Sequence, residues 1–135
     1  MRVVALIHKE EGTSYGISFP DFPGCISAGD TLDEALASGA EALQFHIEGM
    51  VEDGDPIPTP RTADALRADP EFADDFTGAI VAAVPVFVPG RPVKRVNITI
   101  EGDLLDEIDR AAKAFPGGRS GFLAQAAREK LQRAG

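Results

Sequence analysis

Three polar side chains within residues 94–100 are well suited to reading the base edges of DNA. In the sequence KRVNITI, Arg95, Asn97 and Thr99 stand two residues apart and would share one face of a β-strand. In a major groove, arginine suits guanine, asparagine suits adenine, and threonine can also hydrogen-bond to base edges. The apolar side chains would share the opposite face: Val96, Ile98 and Ile100. The spacing therefore predicts a strand that reads DNA.

Two helices are predicted after this strand, and together they favour a ribbon–helix–helix module. Apolar residues recur at helical spacing over residues 104–115 and 120–131, with the breaker Pro116-Gly117-Gly118 between them. About forty residues are too few to bury a stable core alone. Pairing of two copies through their strands would satisfy the strand edges and enclose the apolar face, so we expect a homodimer. A further pairing into tetramers stays open, as does an ordinary strand and helical hairpin at a chain end.

The amino end of the second helix is predicted to hold a DNA phosphate. Ser120 is a residue type that caps helices, so we expect the helix to start there with the amides of Gly121 and Phe122 pointing outward. Gly121 would let the phosphate approach closely, and Arg119 would add a positive charge. Such a contact would position the protein without reading sequence. The complete set of predicted DNA-binding residues is Arg95, Asn97, Thr99, Arg119, Ser120 and Gly121.

The sequence does not assemble a catalytic or metal site. Asp21, Asp30 and Glu34 are the carboxylates that could hold a metal ion for phosphodiester hydrolysis. However, a turn and a helix cap account for Asp30 and Glu34, and a turn between prolines accounts for Asp21. The histidines, His8 and His46, are far apart and belong to no ligand motif. We therefore expect no catalytic residue, no bound metal and no cofactor.

The charge of the chain changes sign along its length. Residues 1–90 hold four basic and sixteen acidic side chains, a net −12, whereas residues 91–135 hold nine basic and six acidic, a net +3. An acidic body repels a phosphate backbone, so we expect DNA on the basic tail and a basic partner on the acidic body. The change falls at Pro89-Gly90-Arg91-Pro92, where we place the domain boundary.

Periodicity within residues 1–90 predicts three strands, a helix and a further strand, which is an α+β arrangement. The predicted strands are residues 3–8, 15–19, 25–28 and 79–88. Pro85 places the last of these at a sheet edge or a bulge. The capping box Thr31-x-x-Glu34 starts a helix that should end near Glu52, and Ala35 and Gly39 allow close packing on its apolar side. A short helix capped by Thr62 is also predicted.

Cysteine content and hydropathy favour a cytoplasmic protein. The only cysteine, Cys25, cannot form an internal disulfide, and without a basic neighbour in sequence it should be packed rather than reactive. No apolar run approaches the length of a membrane span, and the first residues lack the apolar core of a signal peptide. We expect no membrane association.

The first 90 residues carry a run of proline, glycine and cap residues that resembles the signature of HicB-type antitoxins. The matching motifs are FPDFPGC at residues 19–25, Gly29-Asp30-Thr31, Glu34-Ala35, Glu41-Ala42 and Ile57-Pro58-Thr59-Pro60. The acidic segment at residues 69–75 departs from the pattern. The resemblance covers residues 1–90 as the HicB domain and residues 91–131 as the ribbon–helix–helix tail that many members carry.

This resemblance implies a fold, two partners and a role. The expected fold is a small three-strand, helix and strand domain, described in the family as degraded ribonuclease H-like. The expected partners are a HicA-type toxin, which is a small basic mRNA-cleaving ribonuclease, and operator DNA. The expected role is a type II antitoxin that neutralises the toxin and represses its own operon. The alternatives are a ribbon–helix–helix regulator with a ligand-sensing N-terminal domain, and a small hydrolase or nuclease with a DNA-binding tail.

Overall fold

A computed structural model describes residues 1–134, which divide into two compact units, residues 1–90 and 91–134. The first unit contains a four-stranded antiparallel sheet. Its strands are β1 (Arg2–His8), β2 (Tyr15–Ser18), β3 (Ile26–Gly29) and β4 (Ile80–Pro85), in the order β3-β2-β1-β4. The predicted succession of three strands, a helix and a strand is confirmed. Pro85 ends β4, an edge strand, where its missing N–H is tolerated as expected.

Helix α1 (Leu32–Asp53) begins at the predicted capping box. The Thr31 hydroxyl accepts a hydrogen bond from the Glu34 amide, and the Glu34 carboxylate accepts one from the Asp30 amide. The first bond satisfies an amide that lacks a partner in the first turn of the helix, and the second holds the residue just before the N-cap. The helix ends at Gly54, whose φ of 75° is left-handed backbone that glycine adopts without strain.

One face of the sheet packs against α1, and two glycines allow the helix to lie very close to it. A Cβ atom at Gly39 would stand 2.6 Å from Cδ1 of Ile17 on β2, and one at Gly29 on β3 would overlap the backbone nitrogen of Ala35. The apolar cluster enclosed in this way is buried: Val3, Ala5, Ile7, Ile17, Phe19, Phe22, Cys25, Ala40, Leu43, Ile47, Val84 and Val86. Gln44 also joins α1 to the segment after β4, because its side-chain amide exchanges two hydrogen bonds with the backbone of Phe87.

A second, smaller set of contacts involves α2 (Ala63–Ala68) and the 3₁₀ turn Ala73–Phe76. Thr62 caps α2 as predicted, since its hydroxyl accepts from the Ala65 amide. Leu66 on α2 is fully buried, and His8 at the end of β1 donates through Nε2 to the Asp75 carbonyl at 2.7 Å. The acidic segment that departs from the HicB pattern, residues 69–75, therefore connects α2 to this turn and forms most of it.

The second unit consists of helices α3 (Gly102–Ala112) and α4 (Gly118–Ala134), preceded by a segment without regular secondary structure. Ile108 and Ala112 of α3 are buried, and the rings of Phe115 and Phe122 meet edge to face at 5.6 Å. Within residues 1–134 no helix is long and apolar enough to span a membrane.

We predict that Gly29→Ala destabilises the first unit, whereas Gly49→Ala stabilises it. The new methyl group at residue 29 would meet the backbone of α1, which can yield only by moving away from the sheet, at a cost of about 1–3 kcal/mol. Gly49 lies in the same helix with no atom near its would-be Cβ, so alanine there should add about 0.5–1 kcal/mol through helix propensity. Urea unfolding of the two variants checks this pair, and equal unfolding midpoints would contradict it.

Candidate functional site

The segment predicted to read DNA is exposed on both faces in the single chain. Residues 94–100 do not pair as a strand with any other part of the described chain. On the apolar face, Val96 is 74% exposed and Ile98 is 65% exposed. The polar side chains Arg95, Asn97 and Thr99 are exposed as well. Exposed apolar side chains that lie together are typical of interaction surfaces.

Next to this segment lies a groove of about 330 Å³ within the second unit. Its walls are Ile98, Thr99, Ile100, Leu105, Arg119 and Leu123. The groove brings together Thr99 from the segment before α3 and Arg119 from α4, two of the predicted DNA-binding residues. Its apolar part includes Ile98, so the exposed apolar surface continues from residues 94–100 onto the helices.

The prediction that α4 begins at Ser120 is wrong, because the helix begins two residues earlier at Gly118. Ser120 lies in the first turn and is not the N-cap. The amide of Gly121 donates to the Gly117 carbonyl at 3.2 Å, so it is not free to bind an anion. A Cβ at residue 121 would overlap the carbonyl oxygen of Pro116, so glycine is required there by the tight bend between the helices.

Arg119 is held by a carboxylate of the preceding helix. Its Nε and Nη2 donate to the two carboxylate oxygens of Asp109 at 2.7 and 2.8 Å. This bidentate geometry fixes the orientation of the guanidinium relative to the carboxylate. These hydrogen bonds lower the pKa of Asp109 and raise the pKa of Arg119. Arg119 therefore ties α3 to α4, and a guanidinium with five N–H groups has three left for another acceptor.

The carboxylates considered as metal ligands have other partners. Asp21 is almost fully buried and accepts from both the backbone amide and Nε of Arg61, each at 2.7 Å. Asp30 and Glu34 belong to the start of α1 described above. Among the described residues, no three His, Cys, Asp or Glu side chains are grouped so that they could hold a metal ion.

The histidines and the cysteine occupy separate structural positions. His8 bonds to the Asp75 carbonyl, whereas the His46 ring meets the Phe22 ring edge to face at 6.3 Å. Cys25 is buried, and that burial raises the pKa of its thiol, which keeps it protonated. The expectation that Cys25 is packed is confirmed.

Sequence reasoning misses two residues that the structure singles out, Arg61 and Phe45. Arg61 gives no local signal, because its partner Asp21 stands forty residues earlier and only the fold brings them together. Phe45 does give a signal. It falls outside the apolar stripe of α1 and between acidic residues, so an aromatic ring on the polar face could have been noticed.

Comparison with known proteins places both units in one family. The model of the HicB-like antitoxins of bacterial toxin–antitoxin systems matches residues 3–127. An uncharacterised 14.9 kDa protein from the rep–hol intergenic region of Haemophilus phage HP1 is 40% identical over 119 residues, which are 87% of this chain and 88% of that protein.

Solved structures are also similar. The crystal structure of the Burkholderia pseudomallei antitoxin HicB is 37% identical, with a TM-score of 0.56 over 97% of this chain and 98% of that one. A chain of the HicA3–HicB3 toxin–antitoxin complex is 28% identical, with a TM-score of 0.52 over 64% of this chain and 99% of that one. On the family match and this likeness along its whole length, the chain belongs to the HicB-like antitoxin family of bacterial toxin–antitoxin systems.

Proposed function

We propose that this protein is the antitoxin of a type II pair, which neutralises a HicA-type mRNA-cleaving toxin and represses its own operon. The observation that carries the proposal is the family match over residues 3–127, which includes the acidic first unit and most of the basic second unit. The first unit would bind the toxin, and the second would bind promoter DNA as a homodimer. Neither task requires a catalytic residue or a cofactor.

Two features support toxin binding by residues 1–90. A relative with a similar fold has been solved in the HicA3–HicB3 toxin–antitoxin complex. Residues 1–90 also carry a net charge of −12, which would attract a basic ribonuclease and speed its encounter with the antitoxin. That attraction should weaken as salt rises.

DNA binding by residues 91–135 is supported by the exposed segment at residues 94–100. Antiparallel pairing with a second copy would cover Val96 and Ile98, whose exposure is unfavourable in the single chain. The same pairing would align Arg95, Asn97 and Thr99 of both copies on one face of a two-stranded ribbon. A ribbon of that width fits the major groove.

The start of α4 can still contribute a phosphate contact, with different groups from those expected. In a helix that begins at Gly118, the amides of Arg119 and Ser120 lack acceptors within the helix and suit an anion. The three unused N–H groups of Arg119 could bond to the same phosphate. Gly121 would serve indirectly, by allowing the bend that presents this helix end.

We predict that Asn97→Ala relaxes the sequence specificity of DNA binding. Loss of a bidentate contact to adenine should cost about 1–3 kcal/mol on the operator and little on random DNA. Lys94→Ala is the matched control, because Lys94 lies on the opposite parity and should contribute charge alone. Titration of both variants against operator and random duplexes is the measurement. An equal loss on both DNAs for Asn97→Ala would remove it from the base contacts.

Ile98→Lys is expected to abolish pairing through the second unit and, with it, operator binding. Burial of each apolar ribbon residue contributes about 1.5–3 kcal/mol, and a lysine would place a charge from each copy within the apolar face of the ribbon. Val93→Lys is the control, since Val93 precedes the ribbon and is 97% exposed. Sedimentation gives the oligomeric state. A monomeric Ile98→Lys protein that still binds its operator would overturn the dimer model.

A fragment of residues 1–90 should rescue cells that express the toxin from the neighbouring gene. The fragment holds the complete sheet, α1 and the apolar cluster, so we expect it to fold without the second unit. Growth after toxin induction and a pull-down of the toxin are the readouts. A folded fragment that binds no such toxin would instead favour a regulator whose first unit senses a small ligand.

A further inference from the structure

A large aromatic side chain stands on the solvent side of α1. Phe45 is 78% exposed, and Ile26, at the start of the edge strand β3, is 71% exposed. Both line one open groove of about 530 Å³ in the first unit. The other lining residues are Gly24, Cys25, Ala42, His46, Gly49, Met50, Asp53 and Asp55.

The depression beside Phe45 arises from small residues on the same helix face. Ala42 and Gly49 stand three residues before and four residues after Phe45, the spacing of side-chain neighbours on a helix. A Cβ atom at Gly49 would have no atom within 4 Å, so the space next to the ring is open. A protruding apolar side chain of another protein could therefore pack against Phe45.

Acidic side chains surround this apolar centre. Glu41, Glu48 and Glu52 stand four residues before, three after and seven after Phe45, and all three are exposed. Asp53 and Asp55 line the end of the groove. Residues 32–53 contain six acidic side chains and neither lysine nor arginine. An apolar centre with a charged rim is the arrangement found in protein–protein interfaces.

We propose that the toxin docks on this surface. Its centre is Phe45 with Ile26, and its acidic rim consists of Glu41, Glu48, Glu52, Asp53 and Asp55. The partner's face would present one apolar side chain to Phe45 and lysines or arginines to the rim. A second copy of this chain would bring acidic rim against acidic rim, and nucleic acid would be repelled by the same charges. The inference rests on the proposed antitoxin function and adds the location of the interface.

Two substitutions in the full-length protein test the apolar centre. Phe45→Ala removes the ring, and Gly49→Leu fills the space beside it. Neither residue belongs to the buried apolar cluster. Each variant should bind the toxin from the neighbouring gene at least about thirtyfold more weakly, as truncation of a central interface aromatic does. Melting temperatures should stay near wild type for Phe45→Ala and should not fall for Gly49→Leu, because leucine favours the helix.

Charge reversal tests the rim. Glu48→Lys should slow association with the toxin about tenfold at low salt and reduce the dependence of the rate on salt. Glu11→Lys is the matched control, since it makes the same charge change on an exposed residue of the turn between β1 and β2. It should slow association much less than Glu48→Lys.

The outcomes separate the two proposals. A wild-type protein that fails to bind the toxin contradicts the antitoxin function itself. If folded Phe45→Ala and Gly49→Leu variants bind the toxin as tightly as wild type, only this docking surface is overturned. The same holds if Glu48→Lys and Glu11→Lys slow association equally. Loss of binding in the two groove variants, with operator binding unchanged, supports it.

Discussion

The close approach of α1 to the sheet is the constraint on which the first unit depends. At Gly29 and Gly39 the helix and the strands come so near that a methyl group on either residue would meet atoms of the other layer. This distance lets Leu43 and Ile47 reach the sheet and leaves the cluster around them fully buried. The close packing of this core therefore depends on the absence of side chains at Gly29 and Gly39, since packing density falls when the layers separate.

The same contact decides which side of α1 faces solvent. Once Gly39, Leu43 and Ile47 are turned to the sheet, Phe45 and the glutamates at helical spacing from it must point away. A phenylalanine on the solvent side of α1 exposes apolar surface to water and adds nothing to the buried cluster. Such a residue is consistent with a binding role, and the acidic side chains around it favour a basic partner over DNA or a second copy.

In the second unit, the two helices are held together by close contacts, but the segment that precedes them leaves apolar side chains exposed. Gly121 permits the tight bend, and the Arg119–Asp109 pair joins α3 to α4. Val96 and Ile98, however, remain largely exposed to solvent in the described part of the chain. The segment has one apolar and one polar parity, and the proposed pairing with a second copy would bury its apolar parity and place its polar parity on one face.

Sequence by itself determined the order and approximate bounds of the main elements of the first unit, the presence of α3 and α4, the caps of α1 and α2, and the resemblance to HicB. The strand predicted at residues 94–100 is not formed in the single chain. These features depend on residues within one or two turns of each other, where periodicity and capping leave a local record. The start of α4 was misjudged because two glycines with positive φ, Gly117 and Gly118, end the bend earlier than the serine suggested. Only the tertiary structure decided the pairing of Asp21 with Arg61, that of Arg119 with Asp109, and the exposure of Phe45 beside an open groove. Such contacts join residues distant in the chain, and their geometry depends on how whole elements pack.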